Sequence, residues 1–129
     1  MYVNMPKFLL VEDNTMWQDI LQSEMGKIVD GNVDLAVDYA AALRFVQSAP
    51  YEGYVLDGSF PRAPGGAPEK LGIVLAQDIQ RQGVGLDKIV MMSSGPILEE
   101  ARKLGIGAYT KEPESMPGLR THLRSLLEH

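Results

Sequence analysis

Five side chains of the right types recur at the ends of apolar runs: the carboxylates of Glu12, Asp13 and Asp57, the hydroxyl of Ser93 and the ammonium of Lys111. Three carboxylates crowded together repel one another, and their pKa values rise unless a cation joins them. Hard carboxylate oxygens, with backbone carbonyls and water, suit Mg2+ or Mn2+. We assign Asp13 and Asp57 as direct ligands, Glu12 as a ligand acting through water, and the backbone carbonyl of Ser59 as the group completing the protein's share. An Asp oxygen can attack phosphorus, and a divalent ion would neutralise the incoming phosphoryl group and hold it in line. Lys111 would supply a fixed positive charge to the phosphoryl oxygens, and the Ser93 hydroxyl would donate to another of them. The chemistry expected is therefore acceptance of a phosphoryl group on Asp57.

Each residue alone has a plainer reading. Asp13 and Ser93 could be helix caps, Asp57 a turn residue and Lys111 a solvated charge. What favours the chemical reading is that they collect at the same end of four of the five strands read below. Trp17 and the methionines read as packing residues. His122 lies on an apolar helical stripe and reads as a core-edge residue, not a phosphohistidine.

The elements that must position these groups follow from apolar runs and breakers. Lys7–Val11, Glu52–Leu56 and Lys88–Met92 are short continuous apolar runs, read as strands buried on both faces. Val33–Val37 and Ile106–Thr110 complete five strands. Helix one carries Trp17, Ile20, Leu21, Met25 and Ile28 on one face, with Asn14 or Asp13 as its cap. Helix two, capped by Asp38, carries Tyr39, Ala42, Leu43 and Val46. Helix three carries Leu71, Val74, Leu75 and Ile79, and helix four is short, roughly residues 96–104. Helix five spans Pro113–Leu127, with Leu119, His122, Leu123, Leu126 and Leu127 inward. Residues 59–70, rich in Pro and Gly, read as a loop, long for a strand-to-helix link. Strands alternating with helices imply a parallel α/β sheet covered on both sides, with ligands bound beyond the carboxyl ends of its strands.

Composition closes off other classes. The chain has 129 residues, enough for one domain spanning 1–129, with 45% hydrophobic and 22% charged residues. A net charge of −5 argues against a nucleic-acid grip. The absence of cysteine removes disulfides, thiolate metal sites and thiol catalysis. Met1–Pro6 lacks the pattern of a signal peptide and no apolar run is long enough to span a bilayer, so a cytoplasmic location without membrane contact is expected. Glu128 and His129 resemble the start of an expression tag and are set aside.

Taken in order, Phe8-Leu9-Leu10-Val11-Glu12-Asp13-Asn14, Asp57 followed by Pro61, the run ending in Ser93, and Lys111 after Tyr109-Thr110 resemble the receiver domain of two-component response regulators (CheY-like), over essentially the whole chain. The resemblance implies a flavodoxin-like, doubly wound five-stranded parallel sheet of order 2-1-3-4-5 with five helices. It implies a phosphorelay module rather than an enzyme: phosphorylation of Asp57 from the phosphohistidine of a sensor histidine kinase or phosphotransfer protein, with Mg2+ at Asp13, Asp57 and the Ser59 carbonyl. Ser93 would then move toward the phosphoryl group and alter the surface read by a downstream protein.

The sequence departs from that pattern in several places. The loop before Gly72 is long, and the segment from Ser93 to Lys111 is short. Glu112 stands between Lys111 and Pro113, where the family's Lys is normally followed directly by Pro. The usual switch aromatic falls at Ala108, whereas Tyr109 shares a strand face with Lys111 and is a candidate for an altered readout. Small residues at Ser59 and Gly95 suggest an open site and an acyl phosphate that is not unusually long-lived. A receiver-like docking module with little regulatory phosphorylation is the alternative. An aspartyl-nucleophile phosphatase would typically carry an acid where Ser59 stands, and Glu12-Asp13 would repel the phosphate of a flavin-type cofactor.

Overall fold

The structure, a computed structural model, describes residues 5–128. The reading that Met1–Pro6 is no signal peptide and the tag reading of Glu128-His129 therefore fall in part outside the described residues. In chain order the elements are β1 (Phe8–Val11), α1 (Thr15–Gly26), β2 (Val33–Ala36), α2 (Tyr39–Ser48), β3 (Gly53–Asp57), β4 (Phe60–Pro61), β5 (Pro68–Glu69), α3 (Gly72–Arg81), β6 (Ile89–Ser93), α4 (Ile97–Lys103), β7 (Gly107–Thr110) and α5 (Met116–Ser125). Short 3-10 turns at Leu86–Lys88 and Pro113–Ser115 precede β6 and α5. The main sheet is parallel with order β2-β1-β3-β6-β7. Counting only its own strands, that is the expected order 2-1-3-4-5.

The continuous apolar runs become central strands because both of their faces are covered. Every residue of β1, β3 and β6 is buried. Alternation sends Leu9, Val11, Tyr54, Leu56, Ile89 and Met91 to the layer of α2, α3 and α4. It sends Phe8, Leu10, Val55, Val90 and Met92 to the layer of α1 and α5. A fully buried Leu, Val or Ile contributes about 1.5–3 kcal/mol, so these two layers dominate the stability.

Local signals set the helix starts. The Asn14 side chain accepts from the Trp17 amide and the Asp38 side chain from the Ala41 amide, each satisfying a donor that the first turn leaves free. Of the two caps considered for α1, Asn14 serves. At the other end of α1 the chain turns through Asp30 and Gly31, both at positive φ.

Several expectations are corrected. Ile20 and Val74 are 36% and 41% exposed, so the inward stripes of α1 and α3 are narrower than read, centred on Leu21 and Met25 and on Leu75 and Ile79. Helix five opens as the 3-10 turn Pro113–Ser115 and becomes α-helical only at Met116. The 59–70 segment is not wholly irregular: Phe60 and Pro61 pair antiparallel with Glu69 and Pro68. This small hairpin is fastened to α2, because the Ala40 amide donates to the Arg62 carbonyl (3.1 Å) and the Arg62 guanidinium lies over the Tyr39 ring.

The last strand of the sheet is held at its outer margin. Arg102 of α4 donates to the Ala108 carbonyl (3.1 Å), and the Glu112 amide turns back onto the Thr110 carbonyl (2.9 Å). Among the described residues no helix is long and apolar enough to cross a membrane.

Candidate functional site

Strand alternation decides which side chains can meet. Glu12 and Asp57 follow Leu10 and Val55 at intervals of two, and Lys111 follows Tyr109 in the same way, so all three leave the sheet on the α1/α5 side. They converge there. The Lys111 Nζ lies 2.7 Å from Glu12 Oε1 and 3.2 Å from Asp57 Oδ1. Lys111 is brought to this position by the continuation of β7, its own amide donating to the Ser93 carbonyl at 3.1 Å.

Glu12 is fully buried and Asp57 is 7% exposed. The Asn14 amide donates to Glu12 Oε2 (3.1 Å), while Glu12 Oε1 has the Lys111 ammonium and, among the described residues, no directed hydrogen bond. The Ser59 amide approaches Asp57 Oδ1 at 3.4 Å. The Trp17 ring of α1 lies 6.0 Å from the Lys111 Nζ and walls that side of the pocket. Gln18 adds a hydrogen bond from its side-chain amide to the Glu12 carbonyl (3.0 Å), tying the start of α1 to the end of β1.

The electrostatics are unbalanced. Carboxylate oxygens of Glu12, Asp13 and Asp57 lie within 4.8 Å of one another, with, among the described residues, the single ammonium of Lys111 against them. Burial pushes the Asp57 carboxyl up to about 6, helped by the charge of Glu12 and opposed by Lys111. Burial and then the charge of Asp57 raise the Asp13 carboxyl as well. Each shift says that the folded chain resists negative charge here. A divalent cation relieves that resistance, and the oxygen-only donor set matches the preference of Mg2+. The residues present therefore fit such an ion.

Of the residues singled out from sequence, Glu12, Asp13, Asp57 and Lys111 are brought together and Ser59 borders them. Ser93 and Tyr109 are not brought onto the carboxylates. Ser93 leaves β6 on the opposite face, the one Met91 occupies, and its hydroxyl donates at 3.4 Å to the Ser94 carbonyl. Tyr109 shares the face of Lys111, as alternation required, but its hydroxyl is engaged with His122 Nδ1 of α5 (3.2 Å). His122 in turn reaches the Asp87 carbonyl (3.1 Å), so it is a partnered residue at the core edge, as read.

Two glycines matter more than sequence reasoning credited. Gly72 donates its amide to the Gly58 carbonyl (3.0 Å), and a Cβ on Gly72 would lie 2.6 Å from the Asp57 carbonyl oxygen. Only a bare Cα lets α3 begin this close to the end of β3. The signal available was the pair of glycines flanking the loop; their mutual contact needed the fold. Beyond Lys111 the backbone makes the short turn through Glu112, and there is no cis peptide bond among the described residues.

No protein-family model matches the sequence, and no curated protein matches it. Solved structures do. The receiver domain of a Francisella response regulator is 24% identical, with 94% of this chain and 95% of that one covered, at a TM-score of 0.66. The response regulator TrrA of Thermotoga maritima, solved in complex with Mg2+-BeF, is 21% identical over 95% of this chain and 99% of that one, at a TM-score of 0.70. The receiver domain of a Pseudomonas aeruginosa sensor histidine kinase, solved with magnesium coordinated in its active-site cleft, is 22% identical over 98% of this chain and all of that one (100%), at a TM-score of 0.69. The class defined here is the flavodoxin-like α/β sheet. Within it, the chain has the fold of response-regulator receiver domains over nearly its whole length.

Proposed function

We propose that the chain is a phosphoacceptor receiver in two-component signalling, with Asp57 as the acceptor. The observation that carries this reading is the meeting of Glu12, Asp57 and Lys111 at the carboxyl edge of the sheet, with Asp13 beside them. Asp13, Asp57 and the Ser59 carbonyl would hold Mg2+, with Glu12 acting through water. That ion supplies charge neutralisation for the phosphoryl oxygens.

The chain's own groups do the rest. An oxygen of Asp57 attacks the phosphorus of a phosphohistidine; the P–O bond forms as the P–N bond breaks, and the departing imidazole takes a proton. Lys111, already bridging Glu12 and Asp57, follows the new negative charge without leaving the pocket. Burial of Asp57 and Glu12 strengthens the pull of the ammonium on them. Ser93 then crosses to donate to a phosphoryl oxygen. A sensor histidine kinase or a phosphotransfer protein is the donor, and a downstream protein reads the changed surface.

Acetyl-phosphate labelling with mass detection tests the acceptor. Wild type should gain one phosphoryl group in the presence of Mg2+, and Asp57→Asn none; equal labelling of both would defeat the reading. One observation favours a second reading, a docking module with little regulatory phosphorylation. Tyr109 is tied to His122 and is not on the face of Ser93, so the aromatic that would follow the hydroxyl is missing there. Beryllofluoride separates the two, since a docking module would not bind it at Asp57.

A further inference from the structure

The hydroxyl and the acid it would serve leave the sheet on opposite faces. Asp57 points with Val55 toward α1 and α5, and Ser93 with Met91 toward α2, α3 and α4. Gly58, one residue beyond Asp57, falls on the side of Ser93. The packing there is close. A Cβ on Gly58 would lie 2.6 Å from the Ser93 Oγ, 3.0 Å from the Ser93 Cβ and 2.9 Å from the Ile97 Cγ2. Residue 58 is also backed by α3, since a Cβ on Gly72 would lie 2.9 Å from the Gly58 Cα. Its backbone therefore cannot withdraw from Ser93 without displacing the start of α3. Gly58 is absent from the residues with positive φ, so what the glycine provides is space and not an unusual backbone angle.

We propose that Gly58 is a positioning residue: its bare Cα is the seat in which the Ser93 hydroxyl and Ile97, at the head of α4, rest. The missing side chain sets how readily Ser93 departs for a phosphoryl group on Asp57. This rests on the phosphoacceptor reading of Asp57. Among the described residues its one hydrogen bond is the 3.4 Å contact to the Ser94 carbonyl, which holds the hydroxyl weakly. A methyl at position 58 would crowd the seated hydroxyl and Ile97 while standing on the face away from Asp57, Glu12 and Lys111. The seated state loses, and the state with Ser93 released gains. Apparent affinity for a phosphoryl mimic scales with the fraction of chains already competent to hold it. Crowding the seat should therefore tighten binding.

The test uses the full chain, beryllofluoride as the phosphoryl mimic, Mg2+ titrated separately, and the fluorescence of Trp17 as the signal. Gly58→Ala is expected to lower the beryllofluoride Kd about tenfold, with Mg2+ affinity unchanged. In a Ser93→Ala background the same change should alter the Kd less than about twofold, because no hydroxyl remains to be released. Unchanged or weaker beryllofluoride binding by folded Gly58→Ala, or its full effect persisting without the Ser93 hydroxyl, would overturn the proposal. Wild type supplies a measurement independent of any variant's folding. The Ile97 γ2 methyl resonance should move on saturation with beryllofluoride beyond its response to Mg2+ alone, and a methyl that stays put would overturn the proposal equally. Failure of wild type to bind beryllofluoride would instead remove the phosphoacceptor reading, and the role of Gly58 with it, so the wild-type titration tells the two failures apart.

Discussion

Replacing Asp57 with Asn removes a charge that the fold resists. The carboxyl is 7% exposed, and its pKa is raised from the ordinary 3.8 to about 6 by burial first and by the charge of Glu12 next, against the pull of Lys111. A raised carboxyl pKa means that the native chain holds the proton more tightly than the unfolded chain does. The stability linked to this group is complete below the unfolded value, near pH 4, and is lost as pH climbs through about 6. A gap of about two units is worth about 3 kcal/mol. Asn keeps the shape and never ionises, so the variant should keep that stability at every pH. In urea denaturation without divalent cations, Asp57→Asn should exceed wild type by about 3 kcal/mol at pH 8. For m-values of about 1–3 kcal/mol per molar, that is a midpoint shift of roughly 1–3 M. At pH 4 the two proteins should nearly coincide. Added Mg2+ should narrow the gap at pH 8, because an ion bound by the folded wild type stabilises it. Equal stability at pH 8, or an excess undiminished at pH 4, would refute the account of Asp57 as a burdened charge.

Lys111→Met should cost about 3 kcal/mol at pH 8 by the same denaturation assay, since it leaves Glu12 buried without its cation, and acetyl-phosphate labelling should slow with it. Gly72→Ala should cost about 2–3 kcal/mol and weaken Mg2+ binding in a calorimetric titration. Its Cβ would press on the Asp57 carbonyl and the Gly58 Cα, both backbone atoms that cannot rotate away. Phosphorylated Asp57 should lose its label without unusual delay in Mg2+ buffer: Ser59 is only partly buried, Gly95 is exposed, and nothing lies within 4 Å of where a Gly95 side chain would begin. A label persisting over many hours would contradict this.

The strands and their order were legible because a run such as Phe8-Leu9-Leu10-Val11 has no polar face to expose and suits only a strand covered on both sides. The acid pocket was legible because chemistry gathered at one end of those runs. Ile20 and Val74 were misjudged because an apolar residue at helical spacing can still fall at the rim of the contact, and spacing does not say how wide the contact is. The β4–β5 hairpin went unseen because two-residue strands have no period to detect. Alternation correctly gave Tyr109 the face of Lys111, yet its bond to His122 depends on how α5 is rotated, which no strand pattern reveals. Ser93 shows the opposite case: matched strand ends would set it level with Asp57, and only the register of the folded sheet, which pairs Asp57 with Met92, puts its side chain on the other face.

Arg102 has a consequence at the margin of the sheet. A parallel sheet of buried strands ends somewhere, and the backbone groups along its final strand invite another chain to continue the pattern. Here the Ala108 carbonyl is taken by a guanidinium from α4 and the Thr110 carbonyl by a tight turn. An incoming segment would have to evict a charged group and unwind the turn before its first bond could form. The short fourth helix thereby closes part of the flank of the sheet to an added strand.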